Sequence, residues 1–376
     1  MRRGSKGRSG RFMRIMGIVR IMGIMGIVRI ERIERIERHM KIMRLKRVVR
    51  IVRRVRIVHV VLAAGLLLGL LSGCSASPEL SATEPKRKIA LILRSDQADF
   101  WRVARRGAEE AAKEFGVELT ISGPPDEENV DEQVKALKRS ADEGAEAYVL
   151  AANDDRALSE AVDDIVPEDR PVIAIDTELH SSKVRAYIGI DNYEAGRKAG
   201  AKLAETIGGK GKVAVMGFKQ GQQNAEQREL GLLDELAKHP DITIVTKQYC
   251  YTNQELCAEL TRKAIVIHNG LKGIVAMNAI SSVGVAETIQ DMKLAGQVKM
   301  VTFDSTPEDI ALMQEGVIEA TIILNPFNIG YLGVKNAVEA LDGKKLERRF
   351  NTETKVIDQE NMFWSDNQKL LFPFVR

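Results

Sequence analysis

The sequence predicts an α/β protein built from two doubly wound domains with parallel sheets. Three observations carry this expectation. Short runs of Val, Ile, Leu and Ala, apolar nearly throughout, recur after residue 88, and strands of that composition are buried on both faces. Longer stretches with apolar positions at helical spacing lie between them. The series then restarts near residue 190, so two βα sets of similar size follow one another.

In the first set, residues 89–93 read as a strand. Residues 100–115 read as a helix with Val103, Ala104, Ala108, Ala111 and Phe115 on one face. A strand at 117–121, a helix at 130–143, a strand at 147–151, a helix at 155–165 and a strand at 171–175 follow. In the second set, helices at 193–207, 224–238, 253–268 and 281–292 alternate with strands at 212–216, 242–245, 273–277 and 299–303. A short helix at 310–315, a strand at 318–324, a helix at 329–341 and a last strand near 354–357 complete the pattern. In sheets of this kind ligands bind outside the carboxyl ends of the strands.

The 376 residues suffice for two domains plus a leader, and 44% hydrophobic content allows a proper core. The formal net charge of +4 hides an asymmetry. Residues 1–73 carry 19 Lys and Arg against 3 Asp and Glu; the rest carries 37 against 49. The folded part is therefore acidic, which argues against a nucleic-acid partner, since that would need a basic face. Three cysteines are too few for a disulfide-built scaffold.

Residues 11–37 repeat Ile-Met-Gly-Ile and then Glu-Arg-Ile, without the turn or capping chemistry that specifies a fold. Two readings stand: a basic amphipathic helix on a membrane surface, or a downstream start at Met40 or Met43 that leaves residues 1–39 untranslated. We favour the second. A basic stretch from Lys41 to Arg56 is followed by an uncharged run at 60–73 and by Leu71-Ser72-Gly73-Cys74. That is the layout of a secretory signal, and the run is short for a membrane span of ~20 residues. The tetrapeptide resembles the bacterial lipobox, which implies cleavage before Cys74 and its lipidation. The competing reading is an uncleaved anchor with an incidental cysteine. Residues 75–86, rich in Ser, Pro, Glu and Thr, read as a flexible tether. The expected location is extracytoplasmic, lipid-anchored to the cell membrane.

Nucleotide and hydrolase signatures are missing. Gly208-Gly209-Lys210-Gly211 precedes a strand where a phosphate loop follows one, so it reads as a turn. There is no Gly-x-Ser-x-Gly, and the five histidines lack metal spacing. No catalytic residue, cofactor or metal is expected.

The strand ends carry the useful chemistry. Phe100 and Trp101 open the first helix, where an aromatic face suits the C–H side of a sugar ring; ordinary packing is the alternative. Asp176 ends one strand and Asp304 another, and a carboxylate there can accept two sugar hydroxyls. A helix N-cap is the competing role, most seriously for Asp304 before Ser305-Thr306-Pro307. Asn278 repeats the placement with an amide that donates and accepts. Arg228 lies in an early helical turn, where a solvated surface charge is the alternative. Cys250 and Cys257 can pair outside the cytoplasm or stay as reduced buried thiols.

Taken together these residues match a family. Residues 88–356 resemble the ribose-binding-protein branch of the type I periplasmic binding proteins, which also includes the effector domains of LacI-type repressors. Seven stretches carry the resemblance in order. They are Phe100-Trp101 with Gly107 and Ala111-Ala112, Pro171 to Asp176, Ile190-Asp191-Asn192 with Gly196, Asn224-Ala225 with Arg228 and Gly231, Ala276-Met277-Asn278, Val301 to Pro307, and Ala320-Thr321-Ile322 with Asn325-Pro326 and Gly330. The repressor branch is disfavoured, because residues 1–86 hold no helix-turn-helix with its own core.

The resemblance implies two lobes joined by a three-crossing hinge near Asp191-Asn192, near Leu324-Asn325 and at residues 351–355. It implies an N-terminal lobe at 87–191 plus 325–351, a C-terminal lobe at 192–324 plus 352–363, and a tail at 364–376. It further implies that Phe100 and Trp101 sandwich a sugar ring, that Asp176, Arg228, Asn278 and Asp304 bond its hydroxyls, and that Tyr251 adds an aromatic contact. Three positions depart from the pattern. Leu324 stands where many relatives have glutamine, Thr177 where a ribose binder has arginine, and Arg94 where a small hydroxyl residue is common. Specificity is therefore expected to differ from ribose: another pentose, a polyol, a methylated or acidic sugar, or a cyclic furanosyl signal. The implied function is the capture of such a ligand by hinge closure, as a monomer, for the membrane permease of an ABC-type importer. A sensory module feeding a chemoreceptor or histidine kinase is the alternative. Asp176 and Asp304 can also be posed as an acid/base pair, but Arg228 between them would hold both ionised, which argues against an enzyme.

Overall fold

The computed structural model describes residues 86–372. The expected signal segment, Cys74 with its lipid and all but the end of the tether lie outside the described residues, as do residues 373–376. Among the described residues no helix is long and apolar enough to cross a membrane.

One lobe holds strands β1 (Lys88–Ile92), β2 (Glu118–Ser122), β3 (Ala147–Leu150), β4 (Val172–Ile175), β5 (Val184–Gly189) and β11 (Arg349–Asn351). Helices α1 (Asp99–Phe115), α2 (Val130–Asp142), α3 (Asp155–Ile165) and α9 (Pro326–Leu341) cover it. The strands run β11-β5-β4-β3-β1-β2, all parallel. The apolar runs make both faces of this sheet core. Ile89 and Leu91 of β1 join a cluster with α1 and α9, while Ala90 and Ile92 join the cluster with α2 and α3. That is why the strands read as continuous rather than alternating apolar runs.

The other lobe repeats the plan with β6 (Gly211–Gly217), β7 (Ile242–Tyr249), β8 (Leu271–Ala276), β9 (Lys299–Phe303), β10 (Ala320–Ile323) and β12 (Lys355–Asp358). Its helices are α4 (Asn192–Thr206), α5 (Gln223–Leu236), α6 (Gln254–Ile267), α7 (Ala279–Asp291), α8 (Pro307–Gln314) and α10 (Ser365–Leu371). The order is β12-β10-β9-β8-β6-β7, parallel except that β12 runs antiparallel to β10. Because β11 belongs to one sheet and β12 to the other, the chain passes between lobes three times, at residues 190–191, 324–325 and 352–354. Two crossings end in helix caps. Asp191 accepts the Glu194 N–H at 2.9 Å to start α4, and Asn325 accepts the Asn328 N–H at 3.0 Å to start α9.

Three elements differ from the sequence expectation. β5 follows β4 through a loop, with no helix between, and its Arg185 interrupts the apolar run. β11 is a three-residue edge strand, exposed at both ends and too short to leave a pattern. Residues 364–372 are more than a tail. In α10, Leu371 is buried in the core of the second lobe, with Leu370 and Phe372 packed against that core.

Cys250, just after β7, and Cys257, in α6, form a disulfide with a Cα–Cα distance of 5.0 Å. It closes the turn in which Tyr251 and Thr252 hold positive φ of 47° and 50°. A loop this short constrains the unfolded chain by about 2.5 kcal/mol in the chain-entropy view. Urea unfolding of the Cys250→Ser/Cys257→Ser protein is expected to show a stability loss of that size. Coincident midpoints with and without the bond would contradict it.

Candidate ligand-binding site

The carboxyl ends of both sheets face one cavity of about 660 Å³, lined from both lobes. Each lobe contributes one aspartate by the same backbone device. Asp176, after β4, has φ 61°, and Asp304, after β9, has φ 65°. The left-handed region costs a non-glycine residue roughly 1–2 kcal/mol, and aspartate is among the residues that enter it most readily. Neighbours hold both turns in place. The Tyr187 hydroxyl donates to the Asp176 carbonyl at 3.0 Å, and the Thr321 hydroxyl donates to the Asp304 carbonyl at 2.5 Å. Neither aspartate is the N-cap of a helix that follows it in the chain. The cap of α8 is Thr306, which accepts the Asp309 N–H at 3.0 Å.

Arg228 lies on α5 and is buried, so the surface-charge alternative does not hold. Its Nε and Nη2 donate to Asn192 Oδ1 at 3.1 and 2.9 Å, and Nη1 donates to the Met277 carbonyl at 2.6 Å. The guanidinium carbon stands 4.4 Å from the centre of the Phe303 ring. These bonds use three of the five N–H groups, and the side chain lines the cavity. Burial lowers the Arg228 pKa, while Asp304 and Asp176 act to raise it. Burial pushes the Asp304 carboxyl up to about 6 against the opposing pull of Arg228. Burial also raises Asp176, opposed by Arg94 and Arg228. The Ala279 N–H donates to Asp304 Oδ2 at 3.2 Å.

Asn278 lines the cavity but also caps α7, its Oδ1 accepting from the Ser281 N–H at 2.9 Å and the Ser281 hydroxyl at 2.6 Å. The carbonyl oxygen is thus committed, and the amide NH₂ is what Asn278 has to offer. Arg94 is only 3% exposed and forms the hub of a second charged group. Its Nη2 meets Glu127 Oε2 at 2.7 Å, and its Nη1 lies 3.5 Å from Asp176 Oδ2. Leu324, buried at the second crossing, also lines the cavity.

Three expectations are corrected by geometry. Phe100 and Trp101 both line the cavity, but their centroids lie 4.8 Å apart at an interplanar angle of 75°. A sugar between two rings needs about twice the 3.5–4.0 Å carbon contact distance, so the two form a corner rather than a sandwich. Trp101 Nε1 is spent on Glu127 Oε1 at 2.7 Å. Tyr251 is 46% exposed and lies outside the cavity lining, because the disulfide-closed turn presents Thr252 there instead. Thr177 is fully buried behind the wall, its hydroxyl 3.4 Å from Asp176 Oδ2.

The structure adds residues to which the sequence assigned no role in the site, Asn224 among them although it lies in one of the matched stretches. Glu127 comes from a loop without periodicity. Gln222 and Asn224, at the start of α5, reach across to the first lobe: Gln222 Oε1 is 3.5 Å from Arg94 Nη2, and Asn224 Nδ2 is 3.5 Å from Asp176 Oδ2. Lys219 meets Glu128 at 3.5 Å and the Asn153 carbonyl at 3.2 Å, and the Thr252 hydroxyl meets Glu128 at 3.0 Å. Buried side-chain atoms Arg94 Nε, Asn153 Oδ1, Gln222 Nε2 and Asn224 Oδ1 have no hydrogen-bond partner. Buried polar groups are rarely left so, and a small polar guest would satisfy some of them. Among the described residues no cluster of His, Cys, Asp and Glu could hold a metal.

Comparison with known proteins agrees with this picture. Residues 89–345 match the family described as periplasmic binding protein domain. The D-allose-binding periplasmic protein of Escherichia coli (strain K12) is 24% identical over 305 residues, 78% of this chain and 96% of the relative. Two solved structures are similar. A carbohydrate transporter solute binding protein from Agrobacterium radiobacter, in complex with D-arabinose, has a TM-score of 0.74 at 26% identity, covering 77% of this chain and all of that one. GanP, a glucose-galactose binding protein from Geobacillus stearothermophilus, has a TM-score of 0.71 at 30% identity, covering 74% of this chain and all of that one.

Proposed function

The chain belongs to the periplasmic binding protein domain family, and from that premise we propose that it captures a monosaccharide or related polyol for an ABC-type importer. Its relatives are solute-binding proteins, not enzymes, and the family implies an extracytoplasmic place of work. One observation carries the reading. The two lobes each turn a strand-end aspartate, Asp176 and Asp304, into a single cavity that also holds Arg228. Acceptors from both lobes and a donor between them suit a small ring bearing hydroxyls in several directions. Closure of the lobes would be favoured by contacts that exist only when both meet the same guest. Lipidation of Cys74 would then keep the protein beside its permease.

A thermal-shift screen of the chain from residue 86 onward, against monosaccharides, polyols and sugar acids, tests the proposal. Stabilisation that grows with ligand concentration is expected. No response to any member would overturn it.

Binding is expected to depend on pH through Asp304. Its pKa of about 6 lies above the ordinary value of 3.8 because burial penalises the charge. This group therefore favours the folded ligand-free protein most below pH ~4, and that contribution is lost as pH rises through about 6. Sugar hydroxyls donate to the carboxylate and so bind best when it is ionised. Affinity should fall by about tenfold between pH 7 and pH 5, while the ligand-free protein gains stability from this group over the same interval. Titration calorimetry giving a constant affinity across that range would remove Asp304 from the ligand's shell.

A further inference from the structure

We propose that the cleft is built for a substituted sugar, a glycoside carrying an apolar group, rather than for a bare monosaccharide. The inference rests on reading the cleft as a sugar site and concerns the part of the cavity that a sugar does not need. A hexose displaces roughly six waters, about 180 Å³ at ~30 Å³ each. The cavity measures about 660 Å³.

The surplus has a definite chemistry. Ile310, Ile323, Leu370, Leu371 and Phe372 line the cavity and belong to one contiguous apolar cluster of the second lobe. Leu324 follows Ile323 of this wall in the chain, also lines the cavity, and belongs to the cluster of Phe303 and Met277, the residues that precede Asp304 and Asn278. A glutamine there would extend the polar shell; the leucine instead begins an apolar floor. The helix α10, which supplies Leu370 and Leu371, is fixed to the lobe by the buried Leu371 and by Asn367, whose Nδ2 donates to the Asn361 carbonyl at 3.0 Å. The wall is therefore a built surface.

The opposite chemistry gathers elsewhere in the cleft. Cross-lobe bonds from Lys219 to Glu128 and Asn153, from Thr252 to Glu128, and from Arg94 to Gln222 join the lobes with polar groups. A ring held by Asp176, Arg228 and Asp304 thus has a polar, bridged surround in one direction and an apolar wall in another. A substituent directed along the wall buries apolar area without displacing any of the bridges. A purely hydroxylated guest would leave that wall against water.

Titration calorimetry on the purified full chain tests this, with D-ribose, D-glucose and D-galactose and the methyl and phenyl β-glycosides of each. For the sugar that binds, the phenyl glycoside is expected to bind at least tenfold tighter than the free sugar, which is about 1.4 kcal/mol. Phe372→Ser and Ile310→Thr should each remove most of that gain and leave affinity for the free sugar unchanged. A phenyl glycoside that binds no better than its free sugar overturns the inference and leaves the sugar-binding reading standing. A gain that survives both substitutions overturns the placement of the substituent on this wall. Failure of all nine compounds to bind overturns the inference, and the sugar-binding reading then stands or falls by the wider thermal-shift screen.

Discussion

Replacing Arg228 with alanine is expected to cost ~1.5–3 kcal/mol of ligand binding, or about 10–150-fold in affinity. The guanidinium is held before any ligand arrives. Asn192 Oδ1 takes two of its N–H groups, the Met277 carbonyl takes a third, and the Phe303 ring lies under it at 4.4 Å. A ligand therefore meets a donor whose ordering cost is already met by the fold. Its charge also lowers the pKa of both Asp176 and Asp304. Alanine removes the donor and lets both carboxyls hold their protons to higher pH, so the loss should be larger at pH 6 than at pH 8. Arg228→Lys separates the two contributions. It keeps a cation near the aspartates but loses the planar, forked contact with Asn192. Its pH profile should resemble the parent protein's while its affinity stays reduced. Calorimetry at two pH values, with circular dichroism to confirm folding, decides the matter. Unchanged affinity in the alanine protein would exclude Arg228 from the site.

Much of this candidate site was visible in the sequence because the relevant aspartates end mostly apolar strands. Asp176 follows Val172–Ile175 and Asp304 follows Lys299–Phe303, and a charge after a buried strand has few places to go but the sheet's carboxyl edge. Their positive φ was not visible, since aspartate enters that region without leaving a glycine as a marker. Glu127 and Gln222 were hidden for another reason. Both sit in loops, where no period reports which way a side chain points, and Glu127 acquires its place by pairing with Arg94 and accepting from Trp101. Tyr251 shows the reverse error. The family resemblance implied an aromatic contact there, but the disulfide closes its turn so that Thr252 lines the cavity and Tyr251 faces solvent. In the fold, β5 and β11 escaped because one carries a charge in its run and the other is only three residues long. The helix α10 escaped because its seven residues hold too few turns for a stripe to register.

A large loss of stability is expected from Gly196→Ala, a substitution that touches no ligand. Gly196 sits on α4 where α5 crosses it. An added Cβ would lie 2.0 Å from the Arg228 carbonyl oxygen and 2.9 Å from the Leu232 nitrogen. Both are backbone atoms of α5, so no side chain can swing aside. The contact is reciprocal, since a Cβ on Gly231 of α5 would lie 1.9 Å from the Tyr193 carbonyl oxygen of α4. The two helices must separate by an ångström or more to admit one methyl group, which opens the packing of Ala199, Leu203 and Leu232 beneath them. Overpacking of this kind costs ~1–3 kcal/mol and more where the backbone itself must move, so a loss at or above the top of that range is expected in urea unfolding. A second consequence distinguishes this site from any other tight helix crossing. The carbonyl that the methyl strikes belongs to Arg228 itself, so the helix cannot retreat without carrying the guanidinium away from Asn192 and the cavity. Affinity should therefore fall along with stability, even at temperatures where the variant is fully folded. A variant that unfolds earlier yet binds with parental affinity would show that α5 shifts without moving the Arg228 side chain, and would break the proposed link between this helix crossing and the site.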